Sequence, residues 1–306
     1  MYDKKWRKIG GLLLSTLIMA TFSFADSTDN TIQHLLNSCK PYSLSDKMVK
    51  LSSVFFNVPY QVEPLGEGKQ GEFNRQPLYR LDGFDCETFV NTVSALALAH
   101  NIKQFQQYMR DLTYQNKKIS FVTRKHFVIA DWLQDNIKQG LMDDMTLRVA
   151  DRNDIAVYSI YINKKNWFKQ LPESRIKLPH LTVTERYHKL MELHALSLHA
   201  KDKMVKIHYI PLQRFFIHPQ LMTRIPQAAI IIFVGNPLKI KQEIGTDIDA
   251  VHMGFMIWKD SKPYLRAASL GEQRILDIPF LAYLHYNQDT VKGVMVLQLR
   301  KPSINT

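Results

Sequence analysis

The sequence predicts an α+β fold in which helices come first and an antiparallel sheet follows. Helical periodicity marks the first half of the chain, where an amphipathic helix is expected from residue 85 to about residue 100. Short apolar runs separated by turn signals fill the chain after residue 227. Because helices and strands are segregated rather than alternating, the order favours an antiparallel sheet over repeated β–α units.

Further elements can be assigned in chain order. Residues 26–50 are expected to form a helical lead-in, and residues 57–80, rich in Gly, Pro and Asn, a long ordered loop. A second helix is expected at 125–140, with Gly140 as its C-cap. Residues 151–225 mix helical and strand-like patterns and give no clear assignment. Four strands are expected: 228–234, 251–258, 263–268 and 291–299.

The composition is that of a basic, folded protein. The 306 residues contain 40 Lys and Arg against 28 Asp and Glu, which gives a net charge of +12, and 45% are hydrophobic. Such a chain is too apolar to be disordered, and its two cysteines exclude a disulfide scaffold and a cysteine-rich zinc cluster. No metal or cofactor is predicted. The charge favours an anionic partner: nucleic acid, a membrane surface or an acidic polymer.

The first 25 residues have the three parts of a secretory signal peptide. Residues 1–8 are basic, residues 9–24 are apolar, and the segment ends in a small-x-small pattern at Ala25. An uncleaved anchor helix is the alternative, but the apolar run is short for a membrane span of about 20 residues. We expect residues 26–306 to be a single exported domain of net charge +9, periplasmic or secreted, with no stable membrane anchor. Export argues against nucleic acid as the partner.

Cys86 is the first residue whose sequence context indicates a catalytic role. It falls at the expected start of the amphipathic helix, directly after Asp85, which can cap that helix. The N–H groups and positive end of a helix stabilise a thiolate, and the same N–H groups can form an oxyanion hole. The alternative is a buried structural cysteine.

His252 is the second such residue. On a strand it shares one face with Gly254, because the side-chain period is two. The glycine is expected to leave open space beside the imidazole, which a general base facing a cleft requires. The alternative is a half-buried sheet histidine bonded to a backbone carbonyl.

A cysteine at a helix start followed by a histidine on a strand is the papain-type order. The runs 85–90 (Asp-Cys-Glu-Thr-Phe-Val) and 252–254 (His-Met-Gly) resemble the NlpC-type branch of the papain-like cell-wall peptidases. They resemble more closely the N-acetylmuramoyl-L-alanine amidase-like family, domain of unknown function number 1460. Further stretches resembling this family are 57–60, 64–68, 77–80, 124–127, 131–132, 136 and 244–247. The resemblance extends roughly over residues 45–290.

The resemblance implies a papain-like NlpC-type fold with the nucleophile at a helix N-terminus. Cys86 would be the nucleophile, His252 the base, and Tyr60 a contributor to the oxyanion site. Relatives place a polar residue, often His, where this chain has Ala267. Ser269, Asp249 or a water molecule could orient the imidazole instead, or the site could work as a Cys–His dyad.

The resemblance also suggests residues that line the cleft. These are Arg80, Arg124, His126, Asp131 and Trp132. The alternative for the last four is an amphipathic helix with a buried tryptophan.

The function that follows is an exported cysteine amidase or peptidase that hydrolyses an amide bond of peptidoglycan through an acyl-enzyme. Two alternatives remain: a non-catalytic peptidoglycan-binding protein, which Ala267 would suit, or a Cys–His acyltransferase. The catalytic hypothesis requires that Cys39 leaves Cys86 unpaired.

Overall fold

The computed structural model describes residues 28–235 and 241–302, so the predicted signal peptide lies outside the described residues. Helices are α1 (Thr28–Ser38), α2 (Leu44–Val54), α3 (Cys86–Leu98), α4 (Ile102–Thr113), α5 (Gln134–Lys138), α6 (Thr146–Val149), α7 (Lys164–Lys169), α8 (Val183–Ala195), α9 (Leu212–Ile217), α10 (Lys241–Ile244) and α11 (Phe280–Tyr286). Strands are β1 (Met142–Asp144), β2 (Ala156–Ile162), β3 (Lys203–Pro211), β4 (Ile230–Gly235), β5 (Ala250–Lys259), β6 (Lys262–Ser269), β7 (Arg274–Pro279) and β8 (Val291–Leu299). None of the helices in the described ranges is long and apolar enough to cross a bilayer.

The strands of the described ranges form one antiparallel sheet. Its order is β2-β3-β8-β4-β5-β6-β7, and β1 adds to β8. All residues of β4 are buried, which explains why its sequence is continuously apolar rather than alternating. The predicted α+β class with an antiparallel sheet is confirmed.

The sheet has a hydrophobic core on each face. Met253 and Phe255 of β5 pack on one face against the α3 helix, where the Phe89 and Phe255 rings lie 5.5 Å apart. Met256 and the α9 and α11 helices build the core of the other face. The two sets alternate along β5, as the period of two predicts.

The start of α3 is fixed by a capping box. Asp85 Oδ1 accepts a hydrogen bond from the Thr88 N–H at 2.8 Å, and Thr88 Oγ1 accepts one from the Asp85 N–H at 3.0 Å. These reciprocal bonds satisfy N–H groups that have no partner inside the helix. Cys86 is therefore held as the first residue of the helix.

The long loop at 57–80 is ordered by a partly buried carboxylate. Glu67 accepts hydrogen bonds from the backbone N–H groups of Phe73, Asn74 and Phe121. The Tyr114 hydroxyl donates to the Gly66 carbonyl at 2.7 Å, which ties the loop to the end of α4. At the start of the loop, the Gln61 N–H donates to the Phe84 carbonyl at 2.9 Å, which places the loop beside the N-terminus of α3.

The expected helix at 125–140 is divided. A π helix occupies Val128–Leu133, α5 follows, and Gly140 takes a φ of 71° after its end, as a C-cap requires. The unassigned region at 151–225 contains β2 and β3, which extend the sheet to its far edge.

Candidate active site

Cys86 and His252 line the same cavity. The cavity has a volume of about 380 Å³ and lies where the α3 N-terminus meets the start of β5. Cys86 is only partly buried, so its thiol is reachable from the cavity. Other lining residues come from the 57–80 loop, the 121–128 segment, the region of α7, the start of α3 and the segment before β5. They include Tyr60, Glu63, Glu67, Glu87, Arg124, His126, Trp167, Arg175 and Asp249.

The Cys86 sulfur has backbone N–H groups and two carboxylates near it. Burial, followed by the charges of Asp85 and Glu87, raises the pKa of the thiol from 9.0 to about 12. Hydrogen bonds from the Met253 and Glu87 N–H groups favour the thiolate but do not offset these effects. The helix N-terminus alone was expected to favour a thiolate, and burial, with the adjacent carboxylates, explains why the resting group is a neutral thiol.

His252 sits in an aromatic cluster. Its ring is near-parallel to those of Phe233, at 6.0 Å, and Tyr283, at 5.7 Å between centroids. Burial lowers the pKa of the imidazole from 6.5 to about 4, so the ring is neutral at pH 7 and can accept a proton. The two neighbouring rings restrict the plane of the imidazole.

Two tyrosines flank the cysteine. Burial raises the pKa of the Tyr60 hydroxyl, and the nearby Cys86 charge adds to the rise, as it does for Tyr283. Both hydroxyls stay protonated and can donate hydrogen bonds. Tyr283 was missed from the sequence because it lies in a short helix after β7, with no motif around it.

The expected open space beside the imidazole is absent at Gly254. A Cβ built there would lie 2.6 Å from the Arg266 carbonyl oxygen and 2.9 Å from the Ala267 Cβ. The glycine therefore permits close packing of β5 on β6 and does not open the cleft. Ala267 is fully buried in the core that contains Met256. The position at which the family resemblance implies a third polar residue is therefore filled by a packed apolar side chain.

The two other residues considered for orienting His252 have different contacts. Asp249 lines the cavity, and its Oδ2 accepts hydrogen bonds from the Ile129 and Ala130 N–H groups at 2.8 and 2.7 Å. Burial raises the pKa of its carboxyl to about 6. Ser269 lies outside the cavity lining and accepts from the Glu272 N–H in the turn after β6. A role for either in orienting the imidazole stays a prediction.

The five residues considered for the cleft separate into two groups. Arg124 and His126 line the cavity. Arg80 instead forms a two-bond ion pair with Asp82 outside it.

Asp131 and Trp132 are buried and do not line this cavity either. Asp131 pairs with two lysines, and the Trp132 indole N–H donates to Asn91 Oδ1 at 2.7 Å. Both side chains point into the protein because the π helix that carries them packs on the core.

Glu87 and Arg124 form the charged wall of the cavity. Burial raises the pKa of the Glu87 carboxyl to about 7, although the Arg124 charge opposes the rise. The Arg124 guanidinium donates to the Leu65 carbonyl at 2.7 Å, which anchors it to the 57–80 loop. Glu87 directly follows Cys86, so its position could have been read from the sequence as a negative charge beside the thiol.

Cys39 is buried and both cysteines are free, as the catalytic hypothesis requires. Within residues 28–235 and 241–302, no cluster of three or more His, Cys, Asp or Glu side chains could hold a metal ion.

Comparisons with known proteins identify relatives over most of the chain. Residues 50–293 match the AmiA-like family, described as N-acetylmuramoyl-L-alanine amidase-like. A Legionella pneumophila protein of the DUF1460 family is 30% identical, with a TM-score of 0.85 over 89% of this chain and 94% of that one. An N-acetylmuramoyl-L-alanine amidase from Bacteroides uniformis shares the fold at 20% identity, with a TM-score of 0.64 over 84% of this chain and 99% of that one. No curated protein matches the chain.

Proposed function

We propose that this chain, which belongs to the N-acetylmuramoyl-L-alanine amidase-like family, is an exported cysteine hydrolase that cleaves an amide bond of peptidoglycan. The observation that carries the proposal is the shared cavity of Cys86 and His252, with a thiol at a helix N-terminus and a neutral imidazole. The family match supports peptidoglycan as the substrate class.

The resting protonation states define the first chemical step. Because the thiol and the imidazole are both neutral, His252 takes the Cys86 proton as the sulfur attacks the amide carbonyl. The new S–C bond gives a tetrahedral oxyanion. When that intermediate collapses, the C–N bond breaks and the imidazolium gives its proton to the leaving amine.

Water completes the reaction. It attacks the thioester while His252 accepts one of its protons, and the S–C bond then breaks to release the carboxylic acid product. The imidazolium returns that proton to the sulfur, so the resting thiol is restored. No cofactor is needed for this balance.

The oxyanion would be held by donors beside the sulfur. N–H groups in the first turn of α3 lack partners within the helix, and the protonated Tyr60 hydroxyl lines the same cavity. This arrangement of helix-start cysteine, strand histidine and tyrosine supports placement in the papain-like NlpC-type superfamily.

A second candidate is a peptidoglycan-binding protein without catalysis. The observation that favours it is Ala267, which is packed where relatives carry a polar residue. In the catalytic proposal the Phe233 and Tyr283 rings compensate by restricting the imidazole plane. An alanine at this position is then compatible with activity.

Digestion of purified sacculi separates the two candidates. Wild type, Cys86→Ala and, as a matched cysteine control, Cys39→Ala are incubated with sacculi, and released fragments are identified by mass spectrometry. We expect release by wild type and Cys39→Ala, with loss of at least about 100-fold in Cys86→Ala. Equal release by all three proteins would reject the cysteine mechanism, and sacculus binding without release would favour the binding protein.

A further inference from the structure

A second cavity adjoins the first. It has a volume of about 210 Å³ and shares four lining residues with the cavity of Cys86, namely Arg124, His126, Phe127 and Trp167. Cys86 and His252 do not line it. The two cavities therefore share the wall formed by these four residues, and the second would lie next to a distal part of a ligand bound at Cys86, away from the reacting atoms.

The second cavity is lined by three lysines and no acidic residue. These are Lys164 at the start of α7, Lys203 at the start of β3, and Lys201 in the preceding loop. We name it the lysine cavity. Lys201 is exposed, whereas Lys164 and Lys203 are partly buried.

One buried carboxylate positions two of these lysines. Asp131 Oδ1 lies 2.5 Å from Lys164 Nζ and 2.8 Å from Lys203 Nζ, and Lys203 also donates to the Ala130 carbonyl at 3.0 Å. A single carboxylate cannot neutralise two ammonium groups, and Lys201 adds a third positive charge. The lining side chains thus carry a surplus of positive charge, and Asp131 holds two of the ammonium groups at fixed positions.

The surplus is partly desolvated. Burial lowers the pKa of Lys164, and the adjacent Lys203 charge adds to the lowering although Asp131 and Asp249 oppose it. An anion in the cavity would relieve this repulsion. Phe127, Trp167 and Phe168 supply an apolar wall on which methylene groups can pack.

We propose that the lysine cavity binds a carboxylate of the wall peptide at a distance from the amide bond that is cleaved. The inference rests on the proposed function, since it takes the peptide as the ligand of the adjoining cavity. Carboxylate is the anionic group that a peptide carries, and ammonium groups bind it through charge-assisted hydrogen bonds. The cavity would then select peptides by the charge at their far end.

Binding is tested in the Cys86→Ala protein, so that turnover does not interfere. The probes are two synthetic N-acetylmuramoyl tripeptides that differ only in a C-terminal carboxylate or carboxamide, and affinity is measured by calorimetry. We expect the carboxylate peptide to bind about fivefold more tightly. Adding Lys201→Gln or Lys203→Gln should remove this preference while the carboxamide peptide binds as before.

Lys206→Gln is the matched control. Lys206 is an exposed lysine on the same strand as Lys203 and does not line the cavity, so this variant should keep the preference. Equal affinity for the two peptides, or a preference that survives both lysine variants, overturns the proposal. A failure of both peptides to bind overturns it together with the assigned ligand class.

The outcomes distinguish this inference from the proposed function. A lysine-dependent carboxylate preference in a protein that digests no sacculi would support the lysine cavity and reject the hydrolase. Cysteine-dependent digestion without any carboxylate preference would support the hydrolase and reject the lysine cavity as a carboxylate site.

Discussion

The Cys86 thiol should react with electrophiles far more slowly than an ordinary cysteine. Its pKa is raised from 9.0 to about 12 by burial and by the charges of Asp85 and Glu87. Three pH units correspond to a thiolate population about a thousandfold smaller at any pH below 9. A thiolate of higher pKa is also a stronger nucleophile, with a Brønsted slope of about 0.4–0.5, so the alkylation rate should be lower by about 30- to 60-fold.

The assay is alkylation by iodoacetamide between pH 7 and pH 10, followed by peptide mass spectrometry. The rate at Cys86 should rise about tenfold per pH unit without a plateau, because the whole range lies below the folded-state pKa. The Cys86→Ala variant reports the background from Cys39, which is buried. A plateau reached near pH 7 would show a preformed thiolate–imidazolium pair and would refute the protonation states on which the mechanism depends.

Three further predictions concern the strand pair β5–β6 and its histidine. The pKa of His252 is lowered to about 4, so the imidazole becomes protonated and stops acting as a base only below that pH. We therefore expect kcat/KM on soluble wall fragments to fall by half near pH 4. A midpoint near pH 6.5 would contradict the burial of the imidazole. Gly254→Ala should lower the free energy of unfolding, measured by urea denaturation, by about 1–3 kcal/mol, because the new Cβ would meet the backbone of β6. In the control Gly271→Ala the nearest atom to the new Cβ is 3.9 Å away, so the free energy of unfolding should change by less than about 1 kcal/mol. Equal effects of the two substitutions would contradict the close packing at Gly254. Ala267→His should also lower the free energy of unfolding by about 1–3 kcal/mol and give no gain in sacculus digestion, because the side chain at 267 is buried and packs directly on Gly254. A variant that is both stable and more active would show that a histidine fits there as the third catalytic group, and would disprove the packing explanation.

Local patterns in the sequence were sufficient to predict the helix that carries Cys86 and four of the strands. Asp85 and the apolar spacing behind it mark the start of α3, and β4, β5, β6 and β8 lie within a few residues of the runs that predicted them. The edge strand β2 and its neighbour β3 were missed, although Val205 and Ile207 alternate with exposed residues, because short helices interrupt that region.

The composition of the cavity could be predicted only in part. Cys86, His252 and Tyr60 carry recognisable runs, and all three line it. The thiol pKa, the packed site at Ala267 and the aromatic neighbours of His252 depend on contacts between residues far apart in the chain. Such contacts leave no local pattern in a single sequence.

The burial of Asp131 and Trp132 shows the same limit. The family resemblance had suggested both as residues that line the cleft. Their partners are Lys203, more than seventy residues away, and Asn91 on α3. The rotation of the π helix that turns them inwards follows from those distant partners.

Trapping of an acyl-enzyme would show directly whether Cys86 forms a covalent intermediate with the substrate. Wild type is mixed with soluble peptidoglycan fragments, quenched in acid within the first turnover, digested and analysed by mass spectrometry. If Cys86 is the nucleophile, the peptide that contains it should show a mass increase that matches the acyl part of the cleaved amide and is removed by hydroxylamine. An unmodified Cys86 peptide, together with release of the same fragments by Cys86→Ala at the wild-type rate, would contradict it.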